Sequence, residues 1–278
     1  MAVKDPDRLK EFEAGLKVIQ EAVDQVNAIA EGTSSSSLSS ADYMRYYTVV
    51  FDLSASHPLG DFTKELYDKY KQIFEDHITL KVLPCLREKN DQELLQELVR
   101  KWGNYKIITR WLSKFFWFLG RYYIPTRKLP SLQETSFIAF HNLVYGEVNS
   151  QIRNAAISMI NMGREGEEID EVLLKNILAI YIEMGIDSNK YYEQDFEEAM
   201  LKDSAAFYSR KSSNWKQNKS HDDYLIMVED CIKHETETVS SYLQSITQEK
   251  LLQQVVRYEL LNTELEGLKP LDRDLQSS

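Results

Sequence analysis

Glycine and proline are scarce in this chain of 278 residues, with 10 and 6 copies. A sheet protein with many tight turns needs more of both, so their scarcity argues against one. Cysteine is scarcer still. Cys85 and Cys231 stand far apart and fit no CxxC or zinc spacing, the pattern of buried free thiols in a reducing compartment. The N-terminus carries no apolar signal core, and no apolar run is long enough to span a bilayer. The expectation is a soluble cytoplasmic or nuclear protein without a membrane partner. Positive charge is also in deficit. A formal net charge of −11 opposes general binding to nucleic acid or an anionic membrane, and no Lys/Arg run is long enough to suggest a local patch.

Catalytic and cofactor motifs are missing as well. The chain has no G-x-G-x-x-G, no G-K-[ST] phosphate loop and no H-E-x-x-H. Its five histidines, His57, His77, His141, His221 and His234, are scattered without metal-ligand spacing. His221-Asp-Asp-Tyr224 starts like an aspartate-rich metal helix, but Ile226 stands where a further carboxylate is needed. Acidic residues at the positive end of a helix dipole explain Asp222 and Asp223 better. The chain therefore reads as a non-enzyme with no cofactor and no metal.

What is present in excess is aromatic side chain. Nine of the 22 residues from Trp102 to Tyr123 are aromatic. Trp111, Phe115, Phe118 and Tyr122 follow i, i+4, i+7, i+11, while Phe116, Trp117 and Tyr123 cover much of the opposite side. A helix apolar nearly all round is buried on several sides, so this stretch reads as a central core helix.

Helical periods fill the rest. Asp5-Pro6-Asp7 opens a first helix with Phe12, Leu16, Ile19, Val23, Val26 and Ile29 in register, ending near Gly32. A serine-rich loop follows, then a second helix from about Ser40 to Ser54, broken by His57-Pro58. A third covers about Asp61 to Arg87, kinked or ended at Pro84. Asn90 and Glu93 form a capping box opening the aromatic helix, which Ile124-Pro125 stops. Ser131 and Glu134 form another, opening a fifth helix to Met162-Gly163. Beyond the loop 164–170, helices are expected at about 170–184, 188–201, 203–216, 221–245 and 248–266, with Asp170, Ser188 and Ser220 as N-caps. Gly267 and Pro270 end the last one. The class is all-α, with about five helices on each side of Gly163, which suggests two related bundles.

The second helix, Asp42 to Leu53, carries more apolar surface than docking requires. At about 100° per residue its polar wedge holds only Arg45, Thr48 and Asp52. The apolar arc divides into two stripes, one of Tyr46, Val49 and Leu53, the other of Met44, Tyr47 and Phe51, with Tyr43 and Val50 between them. One stripe packs on the aromatic helix. The other is covered by a further helix of the chain or stays exposed as a Tyr/Met/Phe patch for a partner. The fifth helix repeats the pattern, with Phe137, Phe140, Leu143 and Val144 inward and Ile138, His141 and Tyr145 on another face.

Particular residues carry a family resemblance. Tyr43-Met-x-x-Tyr-Thr48, Leu66-Tyr-Asp-Lys-Tyr70, Val82-Leu-Pro84, Arg110-Trp-Leu-Ser-Lys-Phe-Phe116 and Leu143-Val-Tyr145 resemble the N-terminal half of a cullin. So do Arg164-Glu-Gly-Glu167 with Ile169-Asp170, and Phe207-Tyr-Ser-Arg-Lys211. The resemblance runs from about residue 12 to 261 and is greatest to plant cullins of the SCF class. It implies an elongated stalk of two tandem five-helix cullin repeats: an adaptor-binding repeat at 1–163, a second at 164–266, and a short polar tail at 267–278. It further implies a non-catalytic scaffold arm of a cullin-RING ubiquitin ligase, whose partner is the BTB/POZ-fold adaptor carrying F-box substrate receptors. By position the adaptor surface takes Tyr43, Met44 and Tyr47; the wheel adds Phe51, and on the fifth helix Ile138, His141 and Tyr145. Family members usually carry Arg-Asp where this chain has His141-Asn142. The match fades after Leu261, ahead of the region that holds the RING-protein site and the modifier-accepting lysine, so no RING protein is expected as a partner. The alternatives are a truncated competitor of full-length cullin, or a structural helical spacer with a decayed adaptor site.

Overall fold

The computed structural model describes residues 6–34, 37–55 and 62–262. The expected breaks at His57-Pro58 and Gly267 to Pro270, and the polar tail, lie outside them. Among the described residues there is no strand. The chain divides into two compact units, Met1–Ile152 and Arg153–Ser278.

In the first unit lie α1 (Pro6–Ala30), α2 (Ser40–Ser54), α3 (Thr63–His77), α4 (Leu83–Arg87), α5 (Asp91–Phe115), α6 (Ile124–Arg127) and α7 (Leu132–Phe140). The helix α8 (Gly146–Arg164) carries the division between the units. The second unit continues with α9 (Glu171–Gly185), α10 (Lys190–Tyr192), α11 (Glu198–Asn218), α12 (His221–Val239) and α13 (Ser245–Glu249). No helix among the described residues is long and apolar enough to cross a membrane.

Several of these helices are joined end to end by widened π-helical turns, at Ile78–Val82, Leu119–Tyr123, His141–Tyr145 and Glu193–Glu197. Two of them precede prolines. Proline has no N–H to donate and its ring clashes with the carbonyl four residues back. In the wide turn Leu83 donates to Ile78 O and Ile124 to Leu119 O, five residues back. Pro84 and Pro125 then fall in the first turn of a new α segment, where the missing donor does no harm. The carbonyl of Lys81 is taken up by Lys101 Nζ at 2.8 Å. Pro125 thus does not stop its helix; the stop is Lys128, left-handed at φ 53°.

Three other expectations change. Asn90 stands at the start of α5 without a side-chain cap: Asp91, the next residue, is left-handed at φ 46°, and the Glu93 carboxylate pairs with Lys89 at 3.1 Å. The aromatic stretch is not one helix: α5 ends at Phe115, and Phe116 leaves helical geometry at φ −90°, ψ 16°. The helices expected at 188–201 and 203–216 are one rod, since Ser204 returns its hydroxyl to Met200 O at 2.8 Å and stays helical. The Ser131–Glu134 capping box forms with both bonds, and Asp170 and Ser220 cap α9 and α12. Ser188 is not the N-cap of α10; that position is Asn189.

The first core is built on α5. Trp102 and Tyr105 pack against Phe140 with ring centroids 4.8 Å apart in each pair. Hydroxyls then tie α7 in place. Tyr105 donates to Ser136 O at 2.6 Å and Tyr70 to Leu132 O at 3.0 Å, while the Tyr67 hydroxyl pairs with Thr135 Oγ1 at 2.8 Å. These buried bonds satisfy groups that would otherwise be stranded in an apolar setting. Burial pushes the Tyr70 and Tyr105 phenols up.

In the second unit the motifs Arg164-Glu-Gly-Glu167 and Phe207-Tyr-Ser-Arg-Lys211 meet. The Arg164 guanidinium lies over the rings of Phe207 and Tyr208, 5.3 and 5.2 Å from their centroids. It donates to Glu235 Oε1 from Nη2 at 2.8 Å and to Ser204 Oγ at 2.8 Å. The ion pair is buried on both sides, so these residues hold the unit together rather than face a ligand. Cys85 and Cys231 are free thiols, half-buried rather than buried.

Candidate protein-binding site

α2 is set by its cap and its inner stripe. Ser39 Oγ accepts the Asp42 N–H at 3.0 Å and donates its own proton to the Asp42 carboxylate, which holds that carboxyl below its ordinary range. Tyr46, Val50 and Leu53 are buried. The Tyr46 hydroxyl donates to Gln25 Oε1 at 2.8 Å, and its ring meets Phe115 edge-on at 5.4 Å. At Gly15 of α1 a Cβ would lie 2.5 Å from Leu53 Cδ1, so the missing side chain is what allows so close an approach of the two helices. Arg45 completes the anchoring with an ion pair to Glu21 of α1.

That docking leaves the outer stripe in solvent. Met44 is 54% exposed and Phe51 37%, while Tyr43 and Tyr47 are half-buried. Tyr43, Tyr47 and Phe51 stack in series, with centroids 6.3 and 6.1 Å apart. The series then leaves α2. Phe51 meets Phe118 at 5.2 Å, Phe118 meets Tyr122 at 4.7 Å, and Tyr122 meets Trp117 at 6.3 Å. Each spacing lies within the range of favourable aromatic pairs. Tyr122 is 53% exposed and Trp117 49%.

Trp117, Phe118 and Tyr122 are therefore site neighbours that the helical wheel assigned to the core. The break after Phe115 is the reason. Phe116 turns inward against Tyr70, at 5.2 Å, and the chain beyond it no longer follows the phase of α5. The available signal was Gly120 within the stretch and more aromatic rings than one core stripe can hold.

The fifth-helix residues divide. Ile138 is exposed, His141 half-buried and Asn142 exposed. Tyr145 is 3% exposed, stacking on His141 and against Phe140, so it does not share the outer face. The physical reason is the wide turn His141–Tyr145, in which Gly146 donates to His141 O. The extra residue in that turn rotates Tyr145 inward from the side where an unbroken α-helix would put it. α2 and α7 both lean on α5.

A cationic border accompanies the ladder. From Leu98 to Gln133 the sequence has eight Lys/Arg and no Asp/Glu. Lys106, Arg110 and Lys114 recur every four residues on α5, so they share one face although no run of basic residues reveals it. The Lys114 ammonium lies 4.7 Å from the centroid of Trp111, which stacks on Phe115 beneath Tyr43. Among the described residues, Arg110, Lys114, Arg121, Arg127 and Lys128 form no ion pair. Between α5 and α7 a cavity of about 480 Å³ is lined by Lys106, Arg110, Ser113, Ser131 and Gln133 among others, with no carboxylate. Among the described residues no three His, Cys, Asp or Glu side chains converge as a metal site.

Comparison with known proteins agrees with this helical architecture. The family model described as the cullin alpha solenoid domain matches residues 16–276. Rice Cullin-1 is 44% identical over 90% of this chain, which spans 34% of that relative's length. The Arabidopsis "Putative cullin-like protein 2" is 40% identical over 97% of this chain and 74% of its own length. "Cullin-like protein 3", also from Arabidopsis, is 34% identical over 92% of this chain and 98% of its own. A match of that extent leaves one assignment: the chain belongs to the cullin family.

Proposed function

We propose that this chain is a non-catalytic scaffold arm that binds the BTB/POZ-fold adaptor of an SCF-type ubiquitin ligase, and through it the F-box substrate receptors. The observation that carries the reading is the aromatic series Tyr43–Tyr47–Phe51–Phe118–Tyr122, exposed at Phe51 and Tyr122 and half-buried elsewhere, with exposed Met44 and Trp117 beside it. Contiguous exposed aromatic surface of this kind is unusual on a monomer and common where a partner docks. Tyr and Trp are also the residues that dominate binding energy in such interfaces. Tyr43, Met44, Tyr47 and Phe51 form the centre of the proposed contact, and Ile138 and His141 are its further members. Tyr145 acts from beneath, as the ring on which His141 stacks.

The test is calorimetric titration of the whole chain with a purified adaptor–F-box complex. Micromolar or tighter binding is expected, and its absence overturns the reading. A second reading, a structural helical spacer, has one observation in its favour: with Tyr145 buried and His141-Asn142 where the family usually carries Arg-Asp, the fifth helix offers little. On that reading the chain fails to bind, and His141→Arg with Asn142→Asp restores binding.

A further inference from the structure

On its α5 side the docking face carries positive charge alone, although the chain as a whole carries a net charge of −11. We infer that the partner seated on the aromatic series presents a rim of carboxylates to Arg110, Lys114 and Arg121. This rests on the reading that the face is a docking surface.

Three observations carry it. The first is segregation: eight cations and no anions from Leu98 to Gln133 leave a basic island in an acidic chain. The second is adjacency. Lys114 sits on Trp111, whose ring stacks on Phe115, and Phe115 touches Tyr43 of the outer stripe. Arg121 directly precedes Tyr122, the fifth ring of the series. The third is availability. Arg110, Lys114 and Arg121 are exposed, and among the described residues none is held in an ion pair. By contrast Arg100, the first cation of the run, is engaged by Glu97, and Arg45 of α2 by Glu21.

Distance decides between local and total charge. At ordinary ionic strength screening sets in over about 10 Å, so a partner approaching this face feels the island more than the acidic remainder. Rim cations of this sort act on the encounter rate and its salt dependence, while the apolar centre sets the lifetime of the complex. An apolar centre ringed by acid is thus the complementary surface. A phosphate-bearing polymer or lipid would engage the cations but make no use of the exposed side chains of Phe51 and Met44.

The experiment is stopped-flow association of the whole chain with the adaptor–F-box complex, at salt concentrations from about 50 to about 300 mM. Wild type is compared with the triple variant Arg110→Gln/Lys114→Gln/Arg121→Gln, with circular dichroism as the control for folding. The association rate of the variant is expected to fall about tenfold at low salt, with a flatter salt dependence and an unchanged dissociation rate. Unchanged association and salt slope in a variant that still binds would overturn the acidic rim and leave the docking reading standing. Failure of the wild-type chain to bind overturns both. A second titration uses poly-glutamate, phosphatidylserine vesicles and single-stranded RNA as probes. Binding of the peptide that is lost in the variant supports the rim; tighter binding of vesicles or RNA overturns it in favour of a phosphate surface.

Discussion

The ring of Phe51 meets the ring of Phe118 edge-on, with centroids 5.2 Å apart and planes at 89°. This contact carries the exposed surface of α2 across to the chain beyond α5, and so makes one surface from two segments far apart in sequence. Replacing a ring of the series on either segment should damage the proposed contact in the same way. Phe118→Ala and Tyr47→Ala are each expected to weaken adaptor binding by about 2 kcal/mol, roughly thirtyfold in Kd, with helicity preserved. Calorimetry and circular dichroism check the two halves of that statement. A large loss of helicity in Tyr47→Ala would put its ring in the core instead.

Neighbouring residues separate core from surface more sharply. Phe116 is 1% exposed and packs on Tyr70, whereas Trp117 is 49% exposed. Phe116→Ala is expected to destabilise the fold by about 3–5 kcal/mol, while Trp117→Ala changes stability by less than about 1 kcal/mol. Urea denaturation of the two variants tests this, and similar midpoints would contradict the break after Phe115.

The Arg164–Glu235 pair predicts an asymmetry. Both side chains are buried, so removing the cation leaves an uncompensated carboxylate in an apolar setting. Arg164→Met is expected to cost about 3–5 kcal/mol, and the double variant Arg164→Met/Glu235→Leu to recover most of it. Denaturation of the single and double variants measures the difference.

His77 gives the first unit a dependence on acid. Burial, aided by the nearby Lys81 ammonium, lowers its pKa from 6.5 to about 4. The unfolded chain therefore binds a proton that the folded one refuses across that window. The neutral ring's contribution is complete above about pH 6.5 and is lost as pH falls toward 4, a change of about 3 kcal/mol. His77→Gln should flatten that part of the stability profile, read by thermal melts from pH 7 down to 4.

The helical class and the inner side of α2 are legible in the sequence because both rest on period. Tyr46 and Leu53 stand two helical turns apart, and the structure buries both. The capping box at Ser131 is equally local, and it forms. Tertiary competition is what local patterns miss. The box expected at Asn90 and Glu93 does not form, with Asp91 between them left-handed and Glu93 paired to Lys89. Trp117 and Tyr145 fail for a related reason: each follows a change of helical phase, at Phe116 and within His141–Tyr145, that no pattern of hydrophobic residues announces. The basic island escapes notice because its members are spaced at helical intervals rather than written in a row.

The widened turns have a consequence for how this chain tolerates change. Each is an α-helix that has absorbed one extra residue and continued in the same direction. The helical run from Leu132 to Ile152 takes up such a residue at His141–Tyr145. Loss of a single residue there would restore a regular α-helix and leave the side chains beyond it in their present phase, whereas loss of one outside the turn would rotate them by roughly a quarter of a revolution. In the second case Val148 and Ile152, now inside, would swing toward solvent. In this scaffold the length of a helix between two turns matters less than its phase.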